Sequence, residues 1–346
     1  MKVAMYYRNS DVRVETMPIP EVRPGDILVK VMASGICGSD LLEWYRIKRA
    51  PLVLGHEIAG EVLETGAGVE CLKKGDRLYA THHVPCGQCR YCLRGSETAC
   101  ETFHGTNNFF PGGFAEYVRV SGRSVQAGTL VLPEEVSYEE GSFIEPLGTV
   151  LRCVRVAGLE PGESLLVVGA GIAGLLMIKA AVALGVGTII AVDVSRYRLE
   201  AARRYGADII VEAGQDVPAS IRSACGGRLA DKVIVCTGAL SAAYQALEAV
   251  DRGGTVVFFA VPRPGEMVSV DFNPFWRNDV TLRTCYGAAP LDALRALELL
   301  RHKRVTVSDM VTHRFSLDRI QEAFDIAGSP ERCLKVIVQP HHGAQG

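Results

Sequence analysis

Four cysteines lie within fifteen residues, spaced Cys86-x2-Cys89-x2-Cys92-x7-Cys100 in the stretch PCGQCRYCLRGSETAC. Thiolates set this closely on a glycine-containing loop can converge on one tetrahedral zinc, with Zn–S bonds of about 2.3 Å. Four sulfur ligands leave no open position, so such a zinc holds a loop and does not react. The competing chemistry, disulfides, needs an oxidising compartment. The opening segment, MKVAMYYRNSDVRVE, carries no apolar signal stretch and reads as a strand. Structural zinc is therefore the expectation for this cluster. Eleven cysteines without a secretory signal point to the reducing cytoplasm. Cys71, Cys153, Cys225, Cys236, Cys285 and Cys333 read as small core residues.

A second chemistry is written in Gly169-Ala170-Gly171-Ile172-Ala173-Gly174, which follows the apolar run Ser164–Val168 and opens an apolar helix pattern. Alone, such a glycine motif is weak. Between a buried strand and a helix each glycine has a task. Gly169 permits the tight turn, Gly171 lets a pyrophosphate approach the backbone, and Gly174 allows close helix–strand packing. The helix N-terminus, at Ile172 and Ala173, offers free N–H groups and positive dipole to phosphates. Asp193 ends the next strand, 24 residues after Gly169, placed to accept hydrogen bonds from ribose hydroxyls. Its carboxylate would repel a 2′-phosphate, which favours NAD over NADP. Arg196 and Arg198 pull the other way, since an arginine can accommodate that phosphate; Arg198 can also pack beside adenine. The competing reading is a doubly wound sheet with no nucleotide.

The elements that must position these groups divide the chain. Its 346 residues suffice for two domains, and 48% hydrophobic with 22% charged residues describes a globular protein with ample core. A net charge of -2 and a pI near 6.5 leave no electrostatic footprint for nucleic acid. The apolar stretch around Leu175–Val186 contains Lys179 and reads as a buried helix, with no membrane span expected. Residues 1 to about 130 carry short β-branched runs (DILVKVMASG, HEIAGEVLETG, DRLYA) separated by Gly and Pro, and read as antiparallel strands. From about 150, SLLVVGAG, IAGLLMIKAAVALG, TIIAVDV, RLEAARRYG, DKVIVCTG and TVVFFAV alternate strand and helix. That predicts an α/β unit with a parallel sheet covered on both faces. The helix PLDALRALELLRHKR, the segment THRFSLDRIQEAFDIA and the strand CLKVIVQP follow.

Three further motifs are individually bland: Cys37-Gly38-Ser39-Asp40, Gly55-His56-Glu57, and Glu145-Pro146-Leu147-Gly148. Cys37 could be a core residue, His56 a satisfied histidine, Glu145 a helix cap. Taken with the cysteine lobe and the glycine fingerprint, they resemble the zinc-dependent medium-chain dehydrogenases, and more narrowly the polyol (sorbitol) and threonine dehydrogenase branch. GGFAEYV at Gly112–Val118, KKGDRL at Lys73–Leu78 and THRFSL at Thr312–Leu317 extend the resemblance along the whole chain.

The resemblance implies a GroES-like, mostly-β catalytic domain (1–150 and 289–346) and a Rossmann NAD-binding domain (151–288). It makes Cys37 and His56 ligands of a catalytic zinc, with Glu57 and Glu145 as direct ligands or acting through zinc-bound water. Asp40 would fix the tautomer of His56, and Ser39 would relay the alcohol proton outward. Relatives often carry His three residues beyond that serine; here the position is Leu42, and His104, Glu43 or the cofactor ribose with water could substitute. Leu41–Arg49 would border the substrate, with Trp44 and Tyr45 as an apolar wall and Arg46, Lys48 and Arg49 facing either an anion or solvent. His104, Phe109 and Phe110 also suit a pocket rim.

Two zincs per chain follow, one catalytic and one structural, with NAD as cofactor and a small alcohol or ketone as substrate, the polyol or sugar type favoured. Relatives are commonly tetramers or dimers, so a homo-oligomer is expected. Two other classes stay in view: a zinc-free quinone or enone reductase of the same fold, and a non-catalytic nucleotide-binding protein.

Overall fold

The computed structural model describes residues 1–341. It divides into two compact units: Met1–Gly148 with Gly287–Ser329 and the described residues from Cys333, and Thr149–Tyr286 with Pro330–Arg332. The sequence places all of 289–346 in the first unit, of which 342–346 lie outside the described residues. Pro330–Arg332 go instead with the second, where the Ser195 hydroxyl donates to the Pro330 carbonyl at 3.0 Å.

The first unit is built on the strand Ile27–Gly35, whose β-branched and small residues are buried along nearly their whole length. It pairs antiparallel with Glu57–Thr65, Ile27 opposite Thr65 and Gly35 opposite Glu57. Lys335–Val338 runs antiparallel on its other side, with Ile337 opposite Gly35. This register brings three distant pieces of chain to one end of one sheet. Cys37 lies two residues past the first strand, His56 one residue before the second, and Lys335 begins the third. Arg77–Ala80 and Thr129–Val131 continue the sheet, Val311–Phe315 closes its other edge, and Tyr117–Val120 also pairs with Ile27–Gly35. Ile27, Val29, Val31, Ile58, Val62 and Leu78 form its apolar core.

The second unit holds six parallel strands in the order Ile209–Glu212, Ile189–Asp193, Leu165–Val168, Ala230–Val235, Val250–Phe258, Thr281–Thr284. LLVV and IIAVD are buried throughout, as a parallel sheet covered on both faces requires. Strand order reverses beside Leu165–Val168, and the crevice beyond the carboxyl ends at such a reversal is where these sheets take ligands. The helix Ile172–Ala183 buries Leu175, Leu176, Met177, Ile178, Ala180 and Ala181. No helix among the described residues is long and apolar enough to cross a membrane. Of the cysteines read as core residues, Cys153, Cys285 and Cys333 are buried, Cys225 and Cys236 half-buried, and Cys71 exposed. Cys71 departs from that reading because it sits in the loop after Glu57–Thr65.

Candidate metal and cofactor sites

The loop 86–100 brings its four sulfurs together. Cys86 and Cys92 Sγ lie 3.9 Å apart, and Cys89 and Cys92 Sγ 3.5 Å apart. A tetrahedral zinc with Zn–S bonds of about 2.3 Å separates its sulfurs by about 3.8 Å, so the donor set fits that metal. Short helices at Arg90–Leu93 and Glu97–Ala99 fold the loop into this shape. The Cys89 N–H points to Cys86 Sγ at 3.3 Å and the Cys86 N–H to Cys100 Sγ at 3.4 Å. Burial opposes the Cys100 thiolate, but the Cys86 and Phe103 N–H groups outweigh it and hold its pKa to about 6. That favours the deprotonated form a metal needs at Cys100, whereas burial and then the Cys89 thiol push Cys92 up to about 12.

The second cluster is Cys37, His56 and Glu57, whose ligand atoms all lie within 4.8 Å of one another. Cys37 caps the short turn Gly38–Leu41, its sulfur accepting from the Ser39 N–H. Asp40 is fully buried and ties the cluster together. Its Oδ2 accepts from the Cys37 N–H at 3.1 Å, while Oδ1 stands 3.5 Å from His56 Nδ1 and 3.1 Å from Arg46 Nη2. Burial works against the Asp40 charge, yet His56, Arg46 and the Cys37 amide lower its pKa. With Nδ1 facing Asp40, His56 has Nε2 for a metal. Burial lowers the His56 pKa, but Asp40 and Cys37 more than reverse this and raise it well above the usual histidine value. Metal binding there would displace a proton.

Glu145 stands outside the group of converging ligand atoms. It lies in the first turn of Ile144–Ala157, and its pKa is pushed up to about 7, chiefly by burial, with His56 opposing and Glu57 adding to the rise. It is an electrostatic neighbour of the cluster. Glu57 is fully buried and ion-paired through Oε2 to Lys335, whose Nζ also donates to the Ile36 carbonyl at 3.0 Å. Glu57 Oε1 has no hydrogen-bond partner among the described residues. One buried oxygen thus remains for a cation, which fits a metal beside Cys37 and His56. Sequence reading missed Lys335; its signal was a lysine heading an otherwise apolar strand, KVIV, every residue of which is buried. It also missed His82 and His83, whose rings continue from His56 at centroid separations of 5.0 Å and then 3.7 Å. Burial, then the neighbouring positive charges, depresses the pKa of both, His83 to about 3.

In the second unit the turn Gly169–Gly174 joins its strand to its helix. Gly169 has φ +99°, and a Cβ on Gly174 would lie 2.0 Å from the Gly169 carbonyl oxygen, so both positions demand glycine. A Cβ on Gly171 would meet only Arg198 Nη1, at 3.9 Å, which leaves the backbone there open to a ligand. Asp193 Oδ2 accepts from the Ala170 N–H at 2.6 Å and Oδ1 from the Ser195 N–H at 2.8 Å. Its carboxylate is thereby fixed against the glycine turn, with a further lone pair on each oxygen. Arg196 is taken up by Glu200 and Glu212 at 2.5 and 3.5 Å. Arg198 remains beside the turn, its buried Nε without a hydrogen-bond partner among the described residues.

Residues 23–129 match the alcohol dehydrogenase GroES-like domain, and residues 173–302 match the zinc-binding dehydrogenase domain. The chain is 32% identical to sorbitol dehydrogenase of Bacillus subtilis, over 99% of this chain and 98% of that protein. It is 31% identical to L-threonine 3-dehydrogenase of Bacillus licheniformis, over 94% of each. Among solved structures, alcohol dehydrogenase TADH from Thermus sp. ATN1 superposes with a TM-score of 0.89 at 30% identity, covering 99% of this chain and 100% of that one. With its GroES-like and parallel-sheet domains, this chain belongs to the family of zinc-binding alcohol dehydrogenases.

Proposed function

We propose that this protein oxidises a secondary alcohol of the polyol or sugar-alcohol type with NAD, and reduces the matching ketone. The observation that carries the reading is the convergence of Cys37, His56 and Glu57 within 4.8 Å, with Asp40 on the far nitrogen of His56. Relatives named for sorbitol, xylulose and threonine, and a structural neighbour named for butanediol, support a secondary carbinol as the reacting group. In this reading Cys37 and His56 hold the catalytic zinc, Glu57 or Glu145 completes its oxygen side, and Ser39 meets the alcohol oxygen. A bound zinc with an open position supplies Lewis acidity, lowering the pKa of an alcohol that binds it. Cys86, Cys89, Cys92 and Cys100 hold a second, structural zinc. Gly169, Gly171, Ile172, Ala173 and Gly174 receive the NAD pyrophosphate, with Asp193 on the ribose and Arg198 beside the adenine. Eleven thiols without a disulfide suit a cytoplasmic home. The strand Thr281–Thr284, at the edge of its sheet, supports a dimer or tetramer.

A screen of NAD reduction over polyols, sugar phosphates and amino-alcohols, with and without chelator, tests the reading. Turnover that survives complete zinc removal would instead indicate a zinc-free reductase, and no turnover would favour a nucleotide-binding protein. Asp40→Asn is expected to weaken zinc at the Cys37 site about 10- to 100-fold, as loss of a histidine-orienting carboxylate generally does; competition with a chromogenic chelator measures it. Unchanged affinity would remove Asp40 from this role. For the cofactor, kcat/KM should favour NAD, and Asp193→Ala should narrow the gap to NADP by about 10- to 100-fold, the scale of a lost charged hydrogen bond. A wild-type preference for NADP would show that Asp193 is misassigned.

A further inference from the structure

Ser39 is held in place by Arg46. The guanidinium donates from Nε to the Ser39 carbonyl at 3.0 Å and from Nη2 to Ser39 Oγ at 2.8 Å. Nη2 also donates to Asp40 Oδ1 at 3.1 Å, and the guanidinium carbon lies 4.8 Å from the centre of the Tyr45 ring. The Arg46 side chain is only 16% exposed. It ends the helix Glu43–Arg46, which follows the Gly38–Leu41 turn directly.

This geometry limits what the Ser39 hydroxyl can do. A guanidinium offers five N–H donors, no acceptor, and does not deprotonate in proteins. Towards Arg46, Ser39 Oγ can only accept. One lone pair and one O–H remain for other partners. The planar fork holds Ser39 at two points, where a lysine would hold it at one. The protein groups that the sequence offered as a proton exit are engaged elsewhere: His104 Nε2 lies 2.7 Å from the Thr98 carbonyl, and Glu43 Oε2 accepts from the Asn9 N–H at 2.9 Å. Leu42 cannot carry a proton.

We infer that Arg46 is a positioning residue for Ser39, clamping the serine so that its remaining lone pair and O–H link the reacting oxygen to solvent water. This rests on the reading above that Ser39 meets the alcohol oxygen. In oxidation the alcohol O–H bond breaks and a new O–H forms on Oγ, while the proton that serine held passes to water. Reduction runs the same transfers backwards. Arg46 keeps its protons throughout, and the protein part of the relay ends at Ser39.

A double-mutant cycle of Ser39→Ala and Arg46→Met in the zinc-loaded enzyme tests this. The readouts are kcat/KM for the best alcohol of the screen and the affinity for 2,2,2-trifluoroethanol by calorimetry, with zinc content and NADH binding as controls. Each single substitution should lower kcat/KM by about 100-fold, the lower end of what a positioned proton-transfer group contributes. The double variant should match Ser39→Ala to within about twofold, since residues that act through one another are not additive. Arg46→Lys should fall between wild type and Arg46→Met. Losses that multiply in the double variant would overturn the inference while leaving the alcohol reading standing. If Arg46→Met sheds zinc, the same cycle run on Arg46→Lys, which keeps a charge for Asp40, decides by the same criterion. Wild-type enzyme that neither turns over nor binds any alcohol would refute the alcohol reading, and this inference with it.

Discussion

Lys335→Met should destabilise the first unit by about 3–5 kcal/mol, the usual cost of stripping one partner from a buried ion pair. Lys335 and Glu57 are almost wholly buried, at 1% and 0% side-chain exposure, and they join strands 278 residues apart in sequence. Burial opposes the Lys335 charge; Glu57 outweighs it and raises the lysine pKa. Without that cation Glu57 is left buried, with Oε1 already lacking a hydrogen-bond partner among the described residues. For a unit of this size the loss corresponds to a fall in Tm of about 6–20 °C. Lys335→Met with Glu57→Gln removes both charges and should recover most of the loss, because replacing a whole buried pair is far cheaper than halving it. Scanning calorimetry of metal-free and zinc-loaded protein also tests the ligand role of Glu57. If Glu57 binds the metal, zinc should raise the Tm of Lys335→Met more than that of wild type, since the ion replaces the missing cation. Metal-free Lys335→Met within about 1 kcal/mol of wild type would mean that the pair carries little.

The fold was readable where its signal is local. The βα alternation after residue 150 is a matter of run length and periodicity, and the six-stranded parallel sheet follows it. The convergence of Cys86, Cys89, Cys92 and Cys100 is set by short spacings on one loop, and the Gly169–Gly174 turn by one strand–helix junction. What could not be read was the neighbourhood of Cys37 and His56. That depends on the register of Ile27–Gly35 against Glu57–Thr65 and Lys335–Val338, and register is a tertiary property. The sequence therefore shows the carboxylates Asp40, Glu57 and Glu145 without the cations that accompany them. The structure adds a cation to each of two carboxylates: Lys335 on Glu57 and Arg46 on Asp40. Arg46 was legible only as one of three basic residues in LLEWYRIKR, with nothing in its spacing to separate it from solvated Lys48 and Arg49. Its helix is four residues long, too short for periodicity to orient its face.

If the proposed two-zinc reading holds, the largest effect on turnover should come from Cys37→Ala, with one of the two zinc ions lost and kcat/KM dropping by about 10³-fold or more. Removing the Cys37 sulfur leaves His56 and carboxylates. Catalytic zinc sites characteristically use three protein ligands, so the loss of one is severe. A metal that polarises the reacting oxygen contributes several kcal/mol to the barrier, and each 1.36 kcal/mol is tenfold in rate. The sulfur also accepts the Ser39 N–H at 3.5 Å, so its removal loosens the turn that carries Ser39 and Asp40. Cys100→Ser provides the counterpart. It too should lower zinc to about one, but by emptying the lobe, and it should reduce thermal stability more than the turnover of the protein that stays folded. The two variants thus lose the same number of metal ions with opposite consequences, which elemental analysis, calorimetry and initial rates can separate. Were Cys37→Ala to retain two zincs and turn over within tenfold of wild type, the reacting metal would not be held by Cys37 and His56. Were Cys100→Ser the more damaging to initial rates at full folding, the chemistry would have to be sought in the four-cysteine lobe.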